Sequence, residues 1–80
     1  MDRITKFMLR LTEKKRMKVR SAYEAITHNR LDGLDIKPLK GKKGWFRCRV
    51  EDVRIIFVRV ASGSNVITDV EFRGKVYKRM

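Results

Sequence analysis

The chain has 80 residues, 42% of them apolar, enough for one domain with a thin core; one cysteine excludes an internal disulfide, and one histidine makes a zinc site implausible. Its 21 lysines and arginines against 9 acidic residues give a net charge of +12, which favours nucleic acid, an anionic membrane surface or an acidic protein as partner. No apolar run approaches a membrane span and no leader-like segment opens the chain, so the expectation is a cytoplasmic protein that neither crosses a membrane nor uses a cofactor.

Asp2 is placed to cap a first helix, in which Ile4, Phe7, Met8 and Leu11 recur at helical spacing. Thr12 can cap a second helix with Val19, Ala22, Tyr23 and Ile26 as its apolar stripe. Lys14, Lys15, Arg16, Lys18 and Arg20 fall mostly off that stripe, as either a solvated face or a contact for an anionic partner. The two segments, about residues 2–11 and 13–29, read as a helical hairpin, with Asp32 and Gly33 supplying the next turn. Leu34 to Leu39 is extended, because Pro38 lacks an amide proton and disfavours helix at Lys37. Gly41-Lys42-Lys43-Gly44 is a basic loop that lacks P-loop spacing and is read first as a turn, with phosphate cradling as the alternative.

Three strands follow, at about 45–50, 53–60 and 65–73. In the first, alternation sets Phe46, Cys48 and Val50 on the core face and Trp45, Arg47 and Arg49 on the other. In the second, Val53, Ile55 and Phe57 face the core and Arg54 opposes them. Folding the two about Glu51-Asp52 places Arg49 directly across from Arg54, a destabilising confrontation unless both stay in solvent or an anion lies between them. Centring the next hairpin on Ser62-Gly63 pairs Ile55 with Val70, Val53 with Phe72, and Arg54 with Glu71. The expected fold class is α+β: an N-terminal helical hairpin packed on a small antiparallel meander, in one domain. Cys48 is then a small buried hydrophobe rather than a nucleophile.

Leu39-Lys40-Gly41, then Phe46-Arg47-Cys48-Arg49-Val50, Val53-Arg54-Ile55-Ile56-Phe57 and finally Phe72-Arg73-Gly74-Lys75-Val76-Tyr77 together resemble the RelE/ParE superfamily of toxins from prokaryotic toxin–antitoxin systems. The likeness is to the RelE-like branch, whose order also sets a helical hairpin before the meander. It implies a toxin that cleaves mRNA on the ribosome and so inhibits translation, neutralised by a wrapping, acidic antitoxin. Carried over by position, the implied catalytic residues are Arg47, Arg49, Arg54, Arg73 and Tyr77. The family commonly has Gly where this chain has Glu51, and it opens with a β-strand that residues 1–4 do not supply.

RNA cleavage through its own 2′-hydroxyl requires a proton acceptor, charge stabilisation at phosphorus and a proton donor to the leaving oxygen. The lone His28, at the end of the second helix, does not provide a histidine pair and reads as a positive group near a helix C-terminus. Arginine is a poor base, but its planar fork matches phosphate oxygens, so the cluster would supply electrostatic stabilisation. Tyr77 is the candidate proton-transfer group if neighbouring arginines favour its phenolate. Lys42, Lys43, Lys75 and Lys78 are candidate RNA contacts, and Trp45 either stacks a base, caps the sheet edge or meets a partner protein. The implied partners are therefore mRNA, ribosomal RNA and an antitoxin. Two alternatives stand beside this expectation: a ParE-like toxin acting on gyrase without nuclease activity, and a binding-only relative.

Overall fold

Both helices of the computed structural model, which describes residues 2–73, start at the capping residues expected from the sequence. The Asp2 carboxylate accepts from the Thr5 amide at 2.7 Å and opens α1, Arg3–Leu9. That hydrogen bond also holds the Asp2 carboxyl below its ordinary pKa. Thr12 accepts from the Lys15 amide at 3.3 Å and opens α2, Glu13–Thr27. Between the helices, Arg16 turns back: its Nε donates to the Met8 carbonyl at 2.9 Å and its Nη2 to that of Leu11 at 2.8 Å. One of the five cations assigned to the helical surface is therefore a C-terminal cap for α1.

After α2 come β1 (Asp35–Pro38), β2 (Trp45–Val50), β3 (Val53–Arg59) and β4 (Asn65–Phe72), forming one antiparallel sheet in sequence order. β1 corrects the three-strand expectation. The segment read only as extended pairs with β2 through Asp35↔Arg49, Ile36↔Cys48, Lys37↔Arg47 and Pro38↔Phe46. Proline is tolerated there because β1 is an edge strand. The Gly41–Gly44 loop joins β1 to β2 as a turn, and its Lys42 and Trp45 amides donate to Leu39 and Lys42 carbonyls at 3.2 and 3.1 Å. Those donors are thus already engaged within the loop.

Arg49 does oppose Arg54, and Ile55, Val53 and Arg54 pair with Val70, Phe72 and Glu71 as the alternation requires. Nearer the turn the register differs by one residue, with Phe57 opposite Ile67 and Arg59 opposite Asn65. A β-bulge at Thr68 and Asp69, opposite Ile56, reconciles the two halves. The extra residue keeps both Ile67 and Val70 directed to the core.

The helices pack on one sheet face around Phe7, Leu11, Val19, Ala22, Ile26, Cys48, Val53, Ile55, Phe57 and Val70. Phe7 meets Phe72 edge-on at 4.9 Å, and Phe46 stacks on its cross-strand partner Phe57 at 5.4 Å. Two polar ties fasten the layers. At the C-terminus of α2, Asn29 adopts φ +55° and the Arg30 amide reaches back to the Ala25 carbonyl at 2.7 Å, a Schellman closure. The buried Asn65 donates to the Ile26 carbonyl at 3.0 Å and to Asn29 Oδ1 at 3.1 Å, while Arg59 donates to Asn29 Oδ1 at 2.7 Å.

The other tie joins α2 to the β2–β3 turn, where Lys18 meets Glu51 and Lys15 meets Asp52, each at 3.0 Å. The Lys15 hydrogen bond holds the Asp52 carboxyl below its ordinary value of 3.8. Its stabilising share is thus present above that value and is lost as pH falls through the lowered folded-state pKa.

Replacing Asn65 with Ala removes the bonds that join helix end to hairpin and should cost about 1–3 kcal/mol in urea unfolding. Glu51 occupies a left-handed conformation, φ +55°, that costs an L-residue roughly 1–2 kcal/mol, more than a half-exposed ion pair returns. Glu51→Gly should therefore raise the melting temperature despite the loss of the Lys18 contact.

Candidate functional site

The sheet face away from the helices carries three cross-strand rows. The first, across all four strands, is Asp35–Arg49–Arg54–Glu71. The two arginines that confront each other are flanked by a carboxylate on either side, so the chain supplies its own anions to the like-charged pair. The second row is Lys37–Arg47–Ile56–Asp69, and the third, Trp45–Val58–Val66, is apolar.

The ends of the charged row differ in solvation. Arg54 and Glu71 are each only 4% exposed, so of the two alternatives for this arginine solvation does not apply. Arg54 also donates to the Glu51 carbonyl at 3.3 Å. The Glu71 carboxylate accepts from the Phe72 amide at 3.0 Å. At the open end Arg49 Nε donates to Asp35 Oδ2 at 2.7 Å, with side chains 49% and 38% exposed. A buried guanidinium held by backbone carbonyls is costly to displace, whereas an exposed ion pair contributes only about 0–1 kcal/mol. Arg54 is therefore fixed in the fold, and Arg49 is exchangeable.

The second row holds its positive charge differently. Arg47 has Lys37 on one side and the fully buried Ile56 on the other, so no carboxylate stands directly across from it. Its Nη1 is buried and finds no hydrogen-bond partner among the described residues. Asp69, at the far end, is taken up by Arg3 of α1 at 2.8 Å. A guanidinium N–H without a partner gains a charge-assisted hydrogen bond from an anion that reaches it.

Trp45 lies at the end of the face near the β1–β2 loop, half-buried, with the Lys42 ammonium 5.3 Å from its ring centroid. Lys43 is exposed in the same loop. At the opposite end, the exposed Arg73 follows β4 and donates its amide to the Asp52 carbonyl at 2.7 Å. Trp45 and Arg49 are roughly 13 Å apart along the strand. Tyr77, Lys75 and Lys78 lie outside the described residues.

Cys48 is buried on the core face, and desolvation, with Asp35 nearby, pushes its thiol up to about 11. It is a packing residue. His28 is the C-cap of α2. No group of three or more histidine, cysteine or carboxylate side chains is placed to hold a metal among the described residues. Asp35 and Lys37 join this face beyond the residues expected from the sequence. Their signal was the period-two pattern Asp35-Ile36-Lys37, which sends Ile36 to the core and the charges to the arginine face.

No family model matches the chain, and no curated protein matches it. Among solved structures, a chain of the RelB–RelE antitoxin–toxin complex from Methanococcus jannaschii matches with a TM-score of 0.73, covering 95% of this chain and 91% of that one at 22% identity. The fold is RelE-like. In this RelE-like fold the charged rows lie on the sheet face that the two helices leave uncovered, and no described helix is long and apolar enough to cross a membrane.

The contrast between the two ends of the charged row is measurable by chemical denaturation. Arg54→Ala removes a buried guanidinium together with its hydrogen bond to the Glu51 carbonyl and should cost about 1.5–3 kcal/mol, whereas Arg49→Ala should cost no more than about 1.

Proposed function

We propose that this chain is a RelE-type toxin that cleaves mRNA, with Arg47 as the main phosphate-stabilising residue of the open sheet face. The observation carrying this reading is the environment of Arg47 within a RelE-like fold: a buried, unpartnered Nη1 among the described residues, Lys37 beside it and no carboxylate opposite. Single-stranded RNA would run along β2, a base meeting Trp45 and Lys42 at one end and backbone phosphates meeting Arg47, Arg49 and Arg73 beyond. Lys43 lies beside the entry, and Lys75 and Lys78 extend the set of candidate backbone contacts.

In the cleavage step the 2′-oxygen attacks phosphorus and the 5′-oxygen departs, leaving a 2′,3′-cyclic phosphate. The guanidinium of Arg47 opposes the charge that accumulates on the non-bridging oxygens, the part of phosphoryl chemistry most sensitive to positioned cations. Arg49 and Arg73 add to that field, while Arg54 acts from inside the sheet by holding its row in register. Tyr77 is assigned proton transfer by family resemblance. The partner that would restrain the activity is an acidic antitoxin, in keeping with the +12 charge and with the toxin–antitoxin complex in which the similar chain occurs.

A binding-only relative is the second reading, and one observation favours it: of Arg47, Arg49 and Arg54 on this sheet face, two already stand across from carboxylates. Cell-free translation on a defined message, with mapping of new 5′ ends, separates the two. Codon-linked cuts are expected, reduced about 100-fold or more by Arg47→Ala with the circular dichroism spectrum retained. RNA binding with an intact message supports the second reading instead. Full cutting by both Arg47→Ala and Tyr77→Phe would overturn the residue assignment.

A further inference from the structure

Building on the RNA-binding reading, we propose that Asp35 determines how tightly the face takes RNA phosphate, by occupying the Arg49 guanidinium until a phosphodiester displaces it. Asp35 Oδ2 lies 2.7 Å from Arg49 Nε, in the position on the guanidinium that a phosphate oxygen would take. Exchange of carboxylate for phosphate replaces one charge-assisted hydrogen bond by another of the same kind, so the entering anion meets competition rather than a free cation.

Three features make this end of the row the exchangeable one. Both side chains are between a third and a half exposed, whereas the Arg54–Glu71 end is buried. Asp35 sits on the four-residue edge strand, which among the described residues has a neighbouring strand on one side only. Two positions along the same strand, Lys37 stands opposite Arg47, so β1 offers phosphate a cation at one position and a competing anion at the other. The edge strand thereby sets where along β2 an RNA backbone is held: strongly at the Lys37–Arg47 row, and conditionally at the Asp35–Arg49 row.

The test is the salt dependence of binding to a 2′-O-methyl RNA oligonucleotide, which cannot be cut through its own 2′-oxygen. Asp35→Asn frees one guanidinium, so affinity should rise by up to about fivefold, and the slope of log affinity against log salt should steepen by about 0.7. Asp32→Asn, an equal change of net charge at an exposed turn residue, should leave the slope where it was. Should Asp35→Asn fail to fold, Asp35→Thr, with a side chain suited to an edge strand, is read in the same way. Binding by the parent chain that is unchanged in the Asp35 variant, or matched by Asp32→Asn, would overturn this inference and leave the RNA reading standing. No binding by either chain overturns both.

Discussion

The constraint on which the sheet depends is the confrontation of Arg49 with Arg54. Two guanidinium groups directly opposite one another on an antiparallel pair repel, at a cost of roughly 0.2–1 kcal/mol before burial is considered. The chain resolves this within its own sheet, with Asp35 on one flank and Glu71 on the other, so that the row reads acid, base, base, acid across four strands. That arrangement requires all four strands in register. β1 is thus an electrostatic partner of the meander as well as an added edge.

The same row divides the face into a closed part and an open part. Around Arg54, Ile56, Asp69 and Glu71 the side chains are buried, and charge there serves the fold. Toward β1 and β2, Arg49 and Lys37 are exposed, and Arg47 and Trp45 are half-buried with the Arg47 Nη1 itself buried, so the exposed charge there is accessible to an anion. A uniform arginine surface would bind any polyanion through counterion release alone. A face with one fixed arginine, one exchangeable and one without a carboxylate opposite gives phosphates unequal positions along the strand.

The ties between layers explain why such a thin domain holds this geometry. The Asn65–Asn29–Arg59 cluster closes the end of α2 onto the β3–β4 hairpin, and Lys15 and Lys18 bind α2 to the opposite turn of the sheet. Arg16 caps α1 in the same manner. Several cations that add to the high net charge are thereby structural, and the charge available to a partner is smaller and more localised than +12 conveys.

Period-two alternation was enough to read β2 and β3, their pairing about Glu51-Asp52, the Arg49–Arg54 encounter and the Arg54–Glu71 pairing, because each depends on neighbours close in sequence. Caps at Asp2 and Thr12 were legible for the same reason. Three things were not local. The pairing of β1 with β2 joins residues across the Gly41–Gly44 loop, and a four-residue strand containing Pro38 gives almost no signal of its own. The bulge at Thr68 arises only when turn geometry and core contacts must both be met. The burial of Arg54 beside the exposure of Arg49 depends on what surrounds each after folding, which one-dimensional order does not encode. The sequence by itself determined which side chains share a face, since covalent alternation imposes that; tertiary structure decided which of those charges remain available, since solvation is a property of the packed neighbours.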